Sequence, residues 1–287
     1  MNTAERFAQA RPRLLRLAYS ELGDLSEAED VVQEAWLRLD RTGADSIDNL
    51  DAWLTTVVGR LALDTLRSAR VRREAYVGPW LPEPVASDTE ETDPADQVTL
   101  DESVSYALLT VLEQLSPAER TAFVLHDVFD VPFGEVAEVV GRTPDAVRQL
   151  ASRARRHVED ERPRFDASPC EHEQAVRAFA RATADGDFEA LMAVLDPEVT
   201  FTSDGGGLAI AARKPLHGAD RVARVWTGIL RKATPGRETR LVELNGRLGL
   251  LFVRDDRPET ALSFTVEDGR ITRVDVMRNP QKLQRLP

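Results

Sequence analysis

The residues best placed to do chemistry lie in GRTPDAVRQLASRARRHV, residues 141–158, where five arginines and one histidine occupy eighteen positions. Val147, Leu150, Ala151, Ala154 and Val158 recur at helical spacing, which turns Arg148, Gln149, Ser152, Arg153, Arg155 and Arg156 outward. Guanidinium forks fit guanine edges and phosphates, and a glutamine amide fits adenine. Ahead of this helix, LSPAERTAFVLHDVFDVPFGEVAEVV predicts one helix near 117–129 and another near 133–140, the latter closed by Gly141. Thr143 suits an N-cap, Pro144 the first helical position and Asp145 the positive end of the dipole. A short helix, a glycine turn and a capped basic helix make a helix-turn-helix whose second helix can enter a DNA major groove, with Arg142 and Thr143 at its start. Arginine-faced amphipathic helices are also ordinary surface helices, so this motif alone leaves both readings open.

The elements that must position that helix belong to an acidic chain. Its 287 residues carry a formal net charge of −12, and from Glu74 through Glu119 there are eleven Asp or Glu and no Lys or Arg. That stretch supplies −11 of the −12. Its centre, GPWLPEPVASDTEETDPADQ (78–97), is rich in proline and acid and has no apolar period, which predicts a linker. A second break falls at ERPRFDASPC (161–170). The expected organisation is an all-α piece over 1–75, a linker over 76–100, a helix-turn-helix piece over 101–162, a short linker over 163–170 and a last domain over 171–287.

Hydrophobic content of 42% is enough for packed cores. No apolar run approaches membrane-spanning length and the N-terminus lacks the apolar core of a signal peptide, so a cytoplasmic protein without membrane contact is expected. Cys170 is the only cysteine, which excludes an intrachain disulfide and a cysteine-rich metal site. No cofactor and no metal is expected. Lysine stands only at 214, 232 and 282, and every other cation is arginine, through binding chemistry or through codon composition.

In the first piece, apolar residues at 25, 28, 31, 32, 35, 36 and 39 form a helical stripe, with Asp24 or Ser26 as cap. A second helix, about 49–73, carries Trp53, Leu54, Val57, Val58, Leu61, Leu63 and Leu66, and its later half exposes Arg60, Arg67, Arg70, Arg72 and Arg73. Taken alone, this is a helical bundle with solvated charges.

Together, DLSEAEDVVQEAWLRL (24–39), NLDAWLTTVVGRLALDTLRSARVRRE (49–74) and the helix-turn-helix over 104–158 resemble, in collinear order, the core-binding, promoter-melting and C-terminal DNA-binding parts of extracytoplasmic-function sigma factors. The resemblance implies a subunit that binds core RNA polymerase and starts transcription at a chosen promoter. Its partners would be the clamp coiled coil and the flap of the large polymerase subunits, and promoter DNA, with the free chain a monomer. It assigns polymerase docking to Asp30, Gln33, Glu34, Trp36 and Leu37. The loop RTGADSIDN (41–49) would capture a flipped base of the downstream element through Ser46 and Asn49, beside Trp53, with Arg60, Arg67 and Arg70 on phosphates. Turn chemistry and helix capping explain Ser46 and Asn49 equally well. The upstream element would be read by Arg142, Thr143, Asp145, Arg148, Gln149, Ser152, Arg153, Arg155 and Arg156. Leu150 departs from the basic residue common there. An acidic total charge would suppress stray DNA binding by the free subunit.

The last piece predicts two helices over 172–195 split at Asp185-Gly186, a strand over 198–204, a helix over 218–233 and four consecutive strands. That order argues for α+β. It resembles the SnoaL-like cone that a subgroup of these sigma factors carries as a regulatory extension. The resemblance rests on three segments: Trp80, Leu81, Pro82, Glu83 and Pro84; Asp204, Gly205, Gly206 and Gly207; and Asn279, Pro280, Lys282 and Leu283. Gln281 replaces the usual aspartate of the third. The subgroup implies that these segments regulate the sigma core, with a buried Trp80 as anchor and Lys282 against linker acid. For DGGG an ordinary turn, and for the tail disorder, stand as alternatives. So does a helix-turn-helix regulator fused to a catalytic or ligand-sensing domain, with Asp204 or His217 as acid or base and a small-molecule ligand in the C-terminal pocket. A plain regulator leaves 24–74 unexplained.

Overall fold

A computed structural model describes residues 2–86, 104–161, 167–231 and 236–287. They fall into two compact units, one from 2–75 with 108–161 and one from 76–86, 105–107 and 167–287. The first unit is helical, as its 3.6-residue apolar period requires. Helix α1 (Thr3–Leu22) opens with a capping box from Asn2 and Glu5 and ends at Gly23. Helix α2 (Leu25–Thr42) takes Asp24 as its cap, and α3 (Leu50–Glu74) follows a short 3-10 turn over Ala44–Ser46. Leu14, Leu17, Leu22, Val32, Leu39, Leu54, Val58 and Leu63 are buried among these three.

The second half of this unit runs from Leu108 in α4 (Tyr106–Leu112) through α5 (Pro117–Phe123), α6 (Phe133–Val140) and α7 (Pro144–Glu161). Ser116 and Glu119 form a capping box on α5. The helix expected over 117–129 changes at Val124 into a π-type turn, Val124–Val128, which closes at Asp130 with positive φ. Gly141 holds φ +71 at the end of α6, a conformation costly for any residue with a Cβ, and the Ala146 amide donates to Thr143 Oγ1 at 3.3 Å. Phe123, Val124, Ala154 and Val158 share one core with Leu112.

The second unit is α+β. Helices α8 (Pro169–Asp185), α9 (Phe188–Val194) and α10 (Ala219–Arg231) pack on a six-stranded sheet. Its strands are β1 (Leu195–Asp204), β2 (Leu216–His217), β3 (Arg237–Leu244), β4 (Arg247–Arg254), β5 (Arg257–Glu267) and β6 (Arg270–Met277). They lie in the order β2-β1-β6-β5-β4-β3, with β1 and β6 parallel and every other pair antiparallel. Positive φ at Asn245-Gly246, Asp255-Asp256 and Asp268-Gly269 closes three two-residue hairpins. Register shifts between Leu195 and Thr200, Phe252 and Val253, and Thr265 and Val266 curve the sheet. Phe179, Trp226, Phe201, Phe252 and Phe264 fill the face under the helices, and Trp226 Nε1 donates to Thr183 Oγ1 at 3.0 Å. On the opposite face a smaller core joins Leu81 to Leu244, Leu251, Val253, Ala261, Met277, Leu283 and Leu286.

Residues 76–86, expected in the linker, are thus part of the second unit. Ala86 bridges Leu244, and the Asn245 amide donates to the Val85 carbonyl at 2.8 Å. The reason is apolar burial: Leu81 is 1% exposed and the prolines beside it are buried. The acidic centre of the linker, 87–97, lies outside the described residues. No helix among the described residues is long and apolar enough to cross a membrane.

Candidate functional sites

On α7 the expected DNA-facing residues stand as the periodicity requires. Arg142, Thr143, Asp145, Arg148, Gln149, Arg153, Arg155 and Arg156 are exposed and Ser152 is half-buried, while Val147, Ala151, Ala154 and Val158 are buried. Several of these cations are held in place by acids. Arg148 pairs with Asp145, Arg153 Nε donates to Glu119 at 2.9 Å, and Arg155 Nε donates to Asp127 at 2.9 Å. Arg148 also lies over the Phe133 ring, 5.4 Å from its centroid. Such weak surface pairs leave the guanidiniums able to exchange partner for phosphate.

On α2, Asp30, Gln33 and Leu37 are exposed and Glu34 and Trp36 half-buried. Leu37 is 46% exposed, a large apolar side chain without cover on a face otherwise polar. Trp36 is braced by Phe7 at 5.0 Å, and Glu34 accepts from Arg38 at 3.0 Å. In the following loop Ser46 Oγ donates to the Gly43 and Thr42 carbonyls, and Asn49 Oδ1 caps α3 by accepting from Ala52 at 3.2 Å. Both side chains are exposed, so capping and base capture draw on the same polar atoms. Trp53 is half-buried, Arg67 pairs with Asp64, and the Arg70 side chain lies outside the described residues.

Arg60 is exposed, yet it is tied to a neighbouring helix. It donates through Nε and Nη2 to the Glu138 carbonyl of α6, at 3.3 and 3.1 Å, and Val139 packs so closely on Gly59 that an added Cβ would lie 3.2 Å from it. A larger polar contact joins the two halves of this unit. Arg120, 1% exposed, donates to the Ser20 carbonyl at 3.1 and 3.3 Å and pairs with Glu113, which also pairs with Arg73. Arg73 in turn donates to the Leu22 carbonyl at 2.6 Å. Thr121 Oγ1 donates to Glu21 Oε2 at 3.0 Å, while Glu21 Oε1 is buried without a hydrogen-bond partner. Burial raises the Glu21 carboxyl to about 7, against the opposing pull of Arg120 and Thr121. Arg120, Glu113 and Glu21 carried no signal in sequence, where each fits a solvated helix face.

In the second unit the three hallmark segments meet on one carboxylate. Asp204, fully buried, accepts from Tyr76 Oη at 2.7 Å, the Leu81 amide at 3.0 Å, the Gly206 amide at 2.9 Å and Lys282 Nζ at 2.8 Å. Lys282 Nζ also donates to the Leu81 carbonyl at 2.5 Å and lies 3.9 Å from the Trp80 ring centroid. Asn279 Nδ2 donates to Tyr76 Oη at 2.9 Å. A Cβ on Gly205 would lie 2.3 Å from the Ala209 carbonyl oxygen, and one on Gly206, at φ +62, 2.6 Å from the Asn279 side chain. Glycine is what lets this loop close. Glu83, 4% exposed, faces Arg285 at 4.0 Å, and Pro82 accepts from Tyr106 Oη at 2.9 Å. Pro84 is buried, Gly207 lies against Val77, and Leu283 joins the Leu81 core.

Two expectations are corrected here. Trp80 is half-buried and Leu81 is the buried anchor, because the extended proline-flanked segment turns alternate side chains to opposite sides. Lys282 meets Asp204 rather than linker acid. Tyr76 was missed. The tail is an ordered 3-10 turn, Pro280–Lys282, capped by Asn279.

Neither acid–base candidate is poised for catalysis. Asp204 is saturated by donors, and His217 is exposed with Nδ1 3.2 Å from Thr200 Oγ1. The aromatic side chains fill the cone, and an open groove of about 540 Å³ runs instead between α8 and α9, lined by Glu171, Gln174, Ala178 and Arg181. No cluster of metal-ligating side chains occurs among the described residues.

Comparison with known proteins agrees with this layout. Residues 7–72 match the family model for sigma-70 region 2, and residues 105–158 that for sigma-70 region 4. SigJ of Mycobacterium tuberculosis, an ECF RNA polymerase sigma factor, is 41% identical over 98% of this chain and 93% of its own length. SigI of the same species, a probable ECF sigma factor, is 37% identical over 96% and 93%. The crystal structure of SigJ superposes with a TM-score of 0.80 over 99% of both chains at 39% identity.

Proposed function

Because this chain belongs to the ECF RNA polymerase sigma factors, subunits that bind core polymerase and promoter DNA, we propose that its fused SnoaL-like domain regulates it by governing the connector between its two sigma pieces. Polymerase requires those pieces apart, with α2 on the clamp coiled coil, the α7 piece on the flap, and DNA along Ser46, Asn49, Trp53, Arg60, Arg67 and Arg70 and along the arginines of α7. The reading rests on one observation: Asp204 fastens residues 76–81 of the connector to the C-terminal domain. With 76–86 held, only residues 87–103 remain to span between the pieces, a reach of about 60 Å at most. Releasing the latch lengthens that reach and frees the pieces to spread. Arg60, bonded to Glu138 in the closed unit, becomes available for phosphate on opening.

In vitro transcription with core polymerase tests this. Deletion of 279–287, which removes Lys282 and Asn279 from the latch, is expected to raise promoter-specific transcripts several-fold over the full chain. Equal yields from both chains, with equal polymerase affinity, would overturn the regulatory reading. Failure of either chain to bind core polymerase would overturn the assignment of α2 as the docking face. On the DNA side, Arg148→Ala is expected to cost about 1–3 kcal/mol and to relax preference at one position of the upstream element. An equal loss on every promoter variant would make Arg148 a phosphate contact.

A further inference from the structure

Four charged side chains gather at one end of the curved sheet, away from the Asp204 latch's own hydrogen bonds. Arg237 begins β3 and sits directly across from Arg254 at the end of β4. Arg278 follows the last residue of β6, and Glu259 lies near the start of β5. Arg254 Nη2 donates to Glu259 at 2.8 Å, and the Arg237 guanidinium lies 4.3 Å from the centroid of Phe252, which belongs to the aromatic core. Arg278 Nη1 donates to the Ile210 carbonyl at 2.5 Å.

The arrangement is unbalanced. Three guanidiniums lie near the Glu259 carboxylate, which pairs with Arg254 alone, in a partly buried place where Coulomb repulsion between them is less screened than in water. Burial against Phe252 lowers the Arg237 pKa; Glu259 opposes this, and the charges of Arg254 and Arg278 add to the lowering. Two donors also go unused: Arg254 Nε and Arg278 Nε are each buried without a hydrogen-bond partner. A buried N–H on a charged group is costly to leave unmet. An oxyanion supplies what both deficits lack, a negative charge and acceptor lone pairs in the geometry that guanidinium forks prefer.

We propose that Arg237, Arg254 and Arg278 form a binding site for the phosphate or carboxylate group of a small anion at the open end of the cone. The oxyanion bridges the arginines above Phe252, and Glu259 orients Arg254 toward it. The place bears on regulation, because the Arg278 amide donates to the Asp204 carbonyl at 2.7 Å and the next residue is Asn279. The site does not depend on the regulatory reading, since binding is measured without polymerase.

Isothermal titration of the full chain in chloride buffer tests it, with inorganic phosphate in one arm and benzoate in the other at matched ionic strength. Saturable binding of phosphate alone points to a phosphorylated ligand, and of benzoate alone or more tightly to a carboxylate on an apolar body. Arg254→Gln with Arg278→Gln should weaken the preferred anion at least tenfold, with unchanged circular dichroism. Arg254→Lys, which keeps charge and loses the fork, should weaken it less. Arg240→Gln, three residues further along β3 and paired with Glu238, should bind like wild type. No saturable heat with either anion, or equal affinity in wild type and Arg254→Lys/Arg278→Lys, overturns the site.

Discussion

Two of the places where the described residues bury charge treat it differently. At the latch of the second unit, Asp204 has four donors on it and Lys282 balances its charge. At the joint between the sigma pieces, Arg120 and Glu113 are paired, yet Glu21 keeps one oxygen without a partner and a carboxyl raised to about 7. A satisfied polar network fixes one geometry, whereas a half-satisfied one costs free energy that opening recovers. The latch therefore holds one geometry, and under the proposed function the joint between the sigma pieces is the contact that yields.

Removing the hub should have the largest effect. Asp204→Ala leaves Lys282 buried without its counter-charge and strips acceptors from Tyr76 and the Leu81 amide. A loss of about 3–5 kcal/mol in the stability of the second unit is expected from denaturant titration. Leu81→Ala should follow at about 2–5 kcal/mol, since its side chain is fully enclosed by the smaller core. A cost under about 1 kcal/mol for Asp204→Ala would dissolve the contrast between the two sites.

Glu21 sharpens the other side of the comparison through pH. Its folded pKa stands near 7, above the ordinary 4.5, so the folded chain holds this proton after the unfolded chain has lost it. The two states are equally protonated below about pH 4.5, where Glu21 carries no penalty. Between about 4.5 and 7 stability falls as pH rises, and above 7 the penalty is constant at up to about 3 kcal/mol. Glu21→Gln should remove that slope and be more stable than wild type at pH 8, read as the difference between two urea-denaturation series. Parallel curves for the two chains would show that Glu21 is not strained.

How much of this was legible in sequence follows from the range of each interaction. The helix-turn-helix was readable residue by residue because its determinants are local: Gly141, Thr143 and Pro144 act within one turn, and the outward arginines follow from the period of α7. Five of the six described strands of the second unit were readable for the same reason, and the two-residue β2 was not. The three hallmark segments were recognisable by resemblance, but their joining on Asp204 spans 123 residues to Leu81 and 78 to Lys282. No period or spacing encodes such a pairing. Arg120 was hidden for a similar reason, since it follows Glu119 on a helix whose other neighbours give no hint that Ser20 waits 100 residues away. Arg237, Arg254 and Arg278 stand at the ends of β3 and β4 and just past β6, and only the sheet order gathers them.

The smallest expected effect falls on the residue that looked most important. Trp80 is the largest side chain of its segment, and a hot-spot reading would give it the greatest share of the contact. In the structure it is half-buried and covers Lys282, while Leu81 occupies the core. Losing the ring removes a cation–π contact, worth about 0.5–2 kcal/mol depending on desolvation. Lys282 keeps both Asp204 and the Leu81 carbonyl as acceptors, so the latch stays closed. Trp80→Ala should then cost about 1 kcal/mol and change transcription less than Leu81→Ala does. Substitution by a long non-aromatic residue separates the parts: Trp80→Met keeps some cover and loses the ring face, and should fall between wild type and alanine. If Trp80→Ala instead costs as much as Asp204→Ala, Lys282 is held by the ring, and the carboxylate is not the centre of the latch.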